Sequence, residues 1–357
     1  MRAPHPISGR PTLAVIAEKA GTSVPTVSKA LRGGTDVAPA TRERVLRVAS
    51  ELGYLATGGH SIRNGTNIPR LVHFVLETVE GSWANRALGG FEAAARAADL
   101  DVVITLGGDP GWVARVLRQP SVGAVLAVVD PTQTQWRELA AQGFPIVLLD
   151  PMSPPPREVP SVGAMNWQGG RSAAEHLVEL GHTRIAVIDV ERSHEYSRAR
   201  VDGFRAGLAA AGIELDATNI AHAGWSRSRA RVAAQRILST GDAPTAFFTC
   251  TEALALGVYD AAAEAGLSIP GDLSVVGFDD LPEASQANPP MTTVQQPIAE
   301  MGAAALRMLL RITEAPTASD TRAMREELAT RLIVRSSTGF APGFGTRTGP
   351  LPGVAAM

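Results

Sequence analysis

Thr12-Leu13-Ala14-Val15-Ile16-Ala17-Glu18-Lys19-Ala20-Gly21-Thr22-Ser23-Val24-Pro25-Thr26-Val27-Ser28-Lys29-Ala30-Leu31 is the stretch on which the reading of this chain turns. Leu13, Ile16, Ala17 and Ala20 recur at helical spacing, and so do Val27, Ala30 and Leu31. Thr12 stands where a cap would open the first helix, Gly21-Thr22 ends it, and Ser23 stands where a cap would open the second. Two short helices joined by a tight glycine turn make a helix-turn-helix candidate. Ala17, Ala20 and Gly21 supply the small side chains such a crossing needs. The second helix would enter a major groove with Val24, Pro25 and Thr26 at its leading end and Lys29 one turn on. Pro25 is tolerated in a first turn, because its missing N–H would have no helical partner anyway. The Ser23 oxygen is therefore expected to accept from the Thr26 N–H.

A third helix is expected from Pro39 to about Leu52, with Val45, Leu46, Val48, Ala49 and Leu52 apolar. Residues 1–66 hold nine Lys+Arg against four Asp+Glu, a net of +5, while the whole chain is −2. A small basic head on a larger acidic body fits a DNA-binding module attached to a sensor. Residues 1–10 read as a disordered tail, 11–57 as the head and 58–69, rich in Gly, Ser and Asn, as a linker.

From residue 70 to 340 short apolar runs alternate with amphipathic helical stretches. Runs at Leu71–Leu76, Val102–Thr105, Ala124–Val128 and Ile146–Leu149 precede a second series at Arg184–Ile188, Asn219–Ala223, Ala246–Thr249 and Leu273–Gly277. This is βαβ patterning with doubly wound parallel sheets, and its length calls for two lobes. Residues 341–357, rich in Gly and Pro, read as a flexible tail without a coiled-coil repeat.

Cys250 is the sole cysteine, which excludes an intramolecular disulfide and a cysteine zinc site. The N-terminus lacks an apolar export core, and no run is long enough to span a bilayer, so the expectation is a cytoplasmic chain. No cofactor or metal is expected. Gly-x-Ser-x-Gly, His-Glu-x-x-His, phosphate-loop and dinucleotide signatures are absent from the sequence, so catalysis is not expected. The pair Asp279-Asp280 does not read as an acid/base couple, because neighbours on a strand point to opposite sides.

Ligands of open α/β sheets bind beyond the carboxyl ends of the strands. The polar residues there are Glu77, Thr78, Ser82 and Trp83 after the first strand, and Asp150 after Ile146–Leu149. In the second lobe they are Arg200, Trp225 and Asp279. A guanidinium and carboxylates can hold vicinal hydroxyls, and an indole can cover the apolar face of a pyranose. The set suits a sugar.

The head string quoted above, with Val37-Ala38-Pro39-Ala40-Thr41-Arg42-Glu43-Arg44-Val45 and Glu51-Leu52-Gly53-Tyr54, closely resembles the LacI/GalR repressor family. The resemblance continues through Gly169-Gly170-Arg171, Leu180-Gly181-His182, Arg200–Phe204, Asp272–Asp280 and Pro289-Pro290-Met291-Thr292-Thr293-Val294. It implies base reading by Val24, Pro25 and Lys29, and phosphate contacts from Thr12, Ser23, Thr26 and Ser28. Val24 and Pro25 could make only apolar base contacts, and a plain phosphate contact stays open for Lys29. Ser61-Ile62-Arg63-Asn64-Gly65-Thr66 resembles the end of the family hinge, with Ile62 as the minor-groove wedge. The stretch from Tyr54 to Ile62 is one residue shorter than usual, and Gly58-Gly59 costs roughly 2 kcal/mol of helix propensity. A hinge helix formed only on DNA is the reading; a plain linker is the alternative.

The resemblance further implies periplasmic-binding-protein-like lobes, about 70–163 with 293–327 and 164–292 with 328–340, the helix at Pro297–Arg311 returning to the first. It implies Arg200, Asp279, Trp225 and Asp150 as effector contacts, with Gln296 close by. Cys250-Thr251-Glu252 departs from the usual Ala-Asn-Asp and alters the pocket edge. The chain is thus read as a homodimeric repressor on a near-palindromic operator, released by a small-molecule effector, a sugar. A corepressor-dependent regulator, a sugar-binding protein with lost or altered DNA recognition, and a sugar-processing enzyme are the alternatives.

Overall fold

The computed structural model describes residues 12–31, 37–52, 70–191, 193–314 and 324–343. The tail at 1–10, the linker at 58–69 with Ile62, and residues 344–357 lie outside the described residues.

The N-terminal unit holds α1 (Leu13–Lys19), α2 (Val24–Leu31) and α3 (Pro39–Glu51). Their apolar faces meet in one core of Ile16, Ala17, Ala20, Val27, Ala30, Val37, Val45, Val48 and Ala49. Gly21 takes φ +60° in the turn between α1 and α2, where a side chain would be strained. Arg44 on α3 donates from Nε to the Ala20 carbonyl at 2.9 Å and ties the third helix to that turn. Thr12 corrects the sequence reading. It occupies the cap position of α1 in extended conformation, but its side chain makes no capping hydrogen bond.

From residue 70 the chain runs β1 (Leu71–Leu76), α4 (Ser82–Ala97), β2 (Asp101–Leu106), α5 (Trp112–Arg118), β3 (Ala124–Ala127), α6 (Gln133–Ala141), β4 (Ile146–Leu149) and β5 (Ser161–Ala164), and all of these but α5 belong wholly to the second unit. It continues as α7 (Asn166–Glu179), β6 (Ile185–Asp189), α8 (Glu195–Ala210), β7 (Ile220–His222), α9 (Arg227–Leu238), β8 (Ala246–Thr249), α10 (Glu252–Glu264) and β9 (Ser274–Asp279). The last elements are α11 (Pro282–Gln286), β10 (Thr292–Gln295), α12 (Ile298–Glu314), β11 (Arg325–Leu328) and β12 (Arg331–Ile333).

Two six-stranded sheets result, in the orders β11-β5-β4-β3-β1-β2 and β12-β10-β9-β8-β6-β7. The first has an apolar layer under α4 and α12, built on Phe74, Phe91, Met301 and Leu309. The second is centred on Phe204, Phe247, Phe248 and Phe278. Residues 293–295 correct the expected lobe boundary. They belong to β10, which pairs with β9 and β12 in the second sheet, so the chain returns to the first lobe only with α12. A second difference is β12, which runs antiparallel to β10 in sheets otherwise parallel. Only Ala329 and Thr330 separate β11 from β12. A link that short enters the second sheet from its carboxyl end and must run backwards; a parallel return needs a full crossover. The first residues of the expected C-terminal tail are anchored, since Ala341 N donates to Leu180 O.

Candidate functional site

The centre of the second unit is Arg200 on α8, 1 % exposed. Helix α8 lies against α7 with almost no separation. A Cβ on Gly170 would stand 1.9 Å from the Arg200 carbonyl oxygen, and one on Gly203 would stand 1.9 Å from that of Trp167. Two glycines facing backbone on the opposite helix are thus what lets Arg200 sit at this depth. Its Nε donates to Asn166 Oδ1 at 2.8 Å, and its Nη1 donates to the Cys250 carbonyl at 2.5 Å. Nη1 also lies 3.1 Å from Asp279 Oδ1. The guanidinium carbon stands 3.8 Å from the Phe278 ring centroid and 5.1 Å from that of Tyr196. A buried cation needs partners of this kind.

The carboxylates come from the ends of strands in both sheets. Asp150 follows β4 and Asp279 ends β9; both are buried and both hold positive φ, 49° and 111°. Side chains rarely adopt that region, and strained residues of this sort gather at ligand sites. Burial raises the Asp150 carboxyl, against the opposing pull of Arg200 and a hydrogen bond with Asn166. Burial likewise pushes Asp279 up to about 6, although Arg200 and the Gln296 amide favour its charged form. Gln296 donates from Nε2 to Asp279 Oδ1 at 2.5 Å. Glu252 at the start of α10 is held well above the usual range by burial and then by the Asp279 charge. Its Oε1 accepts from the Asp280 N–H and from Thr293 Oγ1, both at 2.7 Å. Glu252 Oε2 and Gln296 Oε1 are buried without a hydrogen-bond partner. Asp280 points elsewhere, to Arg335 at 2.6 Å and Gln295 at 2.7 Å, so the adjacent acids do not share a site.

An aromatic group adjoins the cluster. Tyr196 stacks on His194 at 5.8 Å and His194 tilts over Trp225 at 4.8 Å. Trp225 is carried on the turn after β7, where Gly224 has φ +58°, and it is 52 % exposed. Burial pushes the Tyr196 hydroxyl far up, so it is a neutral donor. Nearby, Asp189 accepts from Ser197 Oγ and from His222 Nδ1, the latter at 3.1 Å.

In the N-terminal unit, Ser23 Oγ accepts from the Thr26 N–H at 3.3 Å, the bond that Pro25 leaves available. It also shares a 2.8 Å hydrogen bond with Thr26 Oγ1. Val24, Pro25 and Lys29 are exposed while Val27 and Ala30 are buried. The leading turn of α2 is therefore presented outward from a closed apolar core. Thr12 is exposed, and Thr26 and Ser28 are half-buried.

Residues 12–56 match the family described as bacterial regulatory proteins, lacI family, and residues 174–338 match a periplasmic binding protein-like domain. The chain is 31% identical over 350 residues to the HTH-type transcriptional regulator MalR of Streptomyces coelicolor, covering 93% of this chain and 97% of that one. It is 30% identical over 340 residues to the regulator CelR of Thermobifida fusca, covering 92% and 98%. The chain belongs to the LacI family of transcriptional regulators. Among solved structures, a CelR–cellobiose complex superposes with a TM-score of 0.69 at 29% identity, covering 92% of this chain and 100% of that one. A lac repressor dimer bound to operator gives 0.67 at 25% identity, covering 93% and 100%.

For this LacI-family regulator the structure brings Asp150, Arg200, Asp279 and Gln296 together, with Trp225 reached through Tyr196 and His194. Glu77 and Thr78 sit exposed in the loop after β1, where Thr78 Oγ1 accepts from the Glu80 N–H. Trp83 packs half-buried against the first-lobe core. Asn166, Tyr196, His194 and the Cys250 carbonyl were not singled out from sequence. Tyr196 alone carried a signal, four residues before Arg200 and so one turn away on the same face.

Proposed function

We propose that this regulator is a homodimeric repressor of a near-palindromic operator, released when a sugar binds its two-lobed unit. What carries the reading is that one chain holds an outward-facing, serine-capped recognition helix and a second unit with Arg200 buried among carboxylates. Lys29 reads a base edge, Val24 and Pro25 touch apolar groups in the major groove, and Thr12, Ser23, Thr26 and Ser28 meet phosphates. Ile62 wedges into the minor groove at the operator centre. Arg200, Asp150, Asp279, Gln296 and Trp225 hold the sugar, with Glu77, Thr78 and Trp83 at the outer edge of the site.

The protein works in the cytoplasm and catalyses no reaction. Among the described residues no helix is long and apolar enough to cross a membrane, and its relatives are transcriptional regulators. Sugar binding shifts the relation of the two lobes and of the dimer mates, and a tenfold fall in operator affinity requires about 1.4 kcal/mol of coupling.

Gel shifts on the chain's own promoter with a sugar panel test this. Release by one sugar, with a steep dependence of affinity on salt, is the expected result. Tighter binding with the sugar would make it a corepressor, and a salt slope near zero would mean that the head no longer recognises DNA. Arg200→Ala is expected to abolish the sugar response and to leave operator binding intact.

A further inference from the structure

We propose that Asp189 is a positioning residue of the effector site, whose one buried carboxyl group ties the end of β7 to the first turn of α8 and thereby fixes Trp225 against His194 and Tyr196. The proposal rests on the sugar-released reading above and adds a residue outside the set assigned to the sugar.

Asp189 closes β6 after Ile185-Ala186-Val187-Ile188, a run buried throughout, and it is itself 2 % exposed. A carboxyl group at that depth needs hydrogen-bond donors. It has one on each oxygen. Ser197 Oγ donates to Oδ1, and His222 Nδ1 donates to Oδ2 at 3.1 Å. The Ser197 hydroxyl is itself aimed, because its oxygen accepts from the Val190 N–H at 3.4 Å. Cys250, just past β8, adjoins the same carboxyl group as a neutral thiol, since burial and then the Asp189 charge push it up.

The two donors belong to the two arms that carry the aromatic group. Ser197 follows Tyr196 directly and precedes Arg200 by one turn of α8. His222 ends β7, opposite Asp189 in the parallel register, and stands three residues before Trp225. β7 spans only Ile220–His222 and lies at the edge of its sheet, so strand pairing holds it on one side alone. Beyond it the chain is pinned by the Ala223 N–H on the Asp189 carbonyl and the Gly224 N–H on the Val190 carbonyl, both at 2.9 Å. A closed circuit results. It runs from Asp189 to Ser197, from Tyr196 to His194 at 5.8 Å, from His194 to Trp225 at 4.8 Å, and back through His222. Arg229 on α9 faces the same turn, with its guanidinium against Gly224. Replacing a buried polar pair by apolar packing often costs no stability. What the carboxyl group supplies is direction, because its two oxygens fix two donors at once. Trp225 is half-exposed, so packing alone does not place it.

The test uses the full-length protein. The chain has five tryptophans, so the Trp225 signal is taken as the difference between the parent and Trp225→Phe. Asp189→Asn keeps the size of the side chain but cannot accept on both sides. It is expected to open Trp225 to quenching by acrylamide and to erase its near-ultraviolet circular dichroism band. His222→Ala is expected to reproduce that change, and His222→Gln, which keeps an N–H donor, to reverse most of it. His222 is exposed, so its two variants decide the question even where Asp189→Asn folds poorly. Because one circuit carries both residues, Asp189→Asn combined with His222→Ala should do no more than either alone. Operator gel shifts with glucose, cellobiose, maltose and lactose then read the site. The sugar that releases the parent most strongly is expected to bind Asp189→Asn about tenfold more weakly. A Trp225 signal unmoved by Asp189→Asn overturns the role of Asp189 and leaves the sugar-released reading standing. So does a His222→Gln signal no closer to the parent than that of His222→Ala. Operator binding that no sugar alters overturns both.

Discussion

The recognition helix and the Arg200 cluster solve opposite problems. In α2 the chemistry faces outward, and six of the candidate DNA contacts fall within the seven residues from Ser23 to Lys29, with Thr12 and Ile62 outside that stretch. The apolar core beneath it, Ile16 with Val27 and Val45, only fixes its orientation. Around Arg200 the chemistry faces inward, and the groups come from positions as far apart as Asp150 and Gln296. One region can lose a side chain and still fold. The other is built of buried charges whose removal disturbs fold and function together. A duplex is read by an exposed surface, whereas a small guest can be held only where water is excluded.

The comparison breaks most sharply at Arg200. Arg200→Ala leaves Asp150 and Asp279 buried without their cation, a loss on the order of 3–5 kcal/mol. Urea unfolding should register that loss in the two-lobed unit, with effector binding abolished. Gly170→Ala sets a Cβ against the Arg200 carbonyl, where the gap is only 1.9 Å. Overpacking of this kind costs about 1–3 kcal/mol. It should shift the denaturation midpoint and weaken the effector without altering any polar group of the site.

Lys29→Ala tests the outward region. A base-edge contact predicts a loss of about 1–3 kcal/mol on the operator with relaxed specificity at one base pair. A phosphate contact predicts equal weakening on all duplexes and a shallower salt slope. Effector affinity should not change in either case. Ser23→Ala removes the α2 cap and should lower stability of the N-terminal unit by about 1 kcal/mol, read as a small shift in thermal unfolding.

The smallest effect is one of pH. Asp279 is held up to about 6 by burial, above its ordinary value, so the folded chain binds this proton more readily than the unfolded one. Its contribution to stability is therefore full below the ordinary carboxyl range and is lost as pH rises through about 6. Asp279→Asn should flatten that part of the stability profile.

Much of the head was legible in the sequence because its determinants are local. Helical spacing, the Gly21 turn and the Ser23 cap all act within a few residues, and the Thr26 hydrogen bond follows from the missing N–H of Pro25. Thr12 shows the limit, since a capping residue type in the capping position makes no cap. In the second unit, the strand-end rule reached Asp150, Arg200 and Asp279, because a parallel sheet places its carboxyl ends on one side. It missed Asn166 and Tyr196, whose roles depend on how α7 and α8 meet.

Sequence alone determined the element types, the basic head and the strand ends at which polar groups gather, because periodicity, caps and charge are written along the chain. Tertiary structure alone decided that Gly170 and Gly203 let two helices touch, that Glu252 joins Asp279, and that β12 enters its sheet backwards. Those outcomes depend on distances between residues far apart in the chain, and spacing along a sequence carries no such distance.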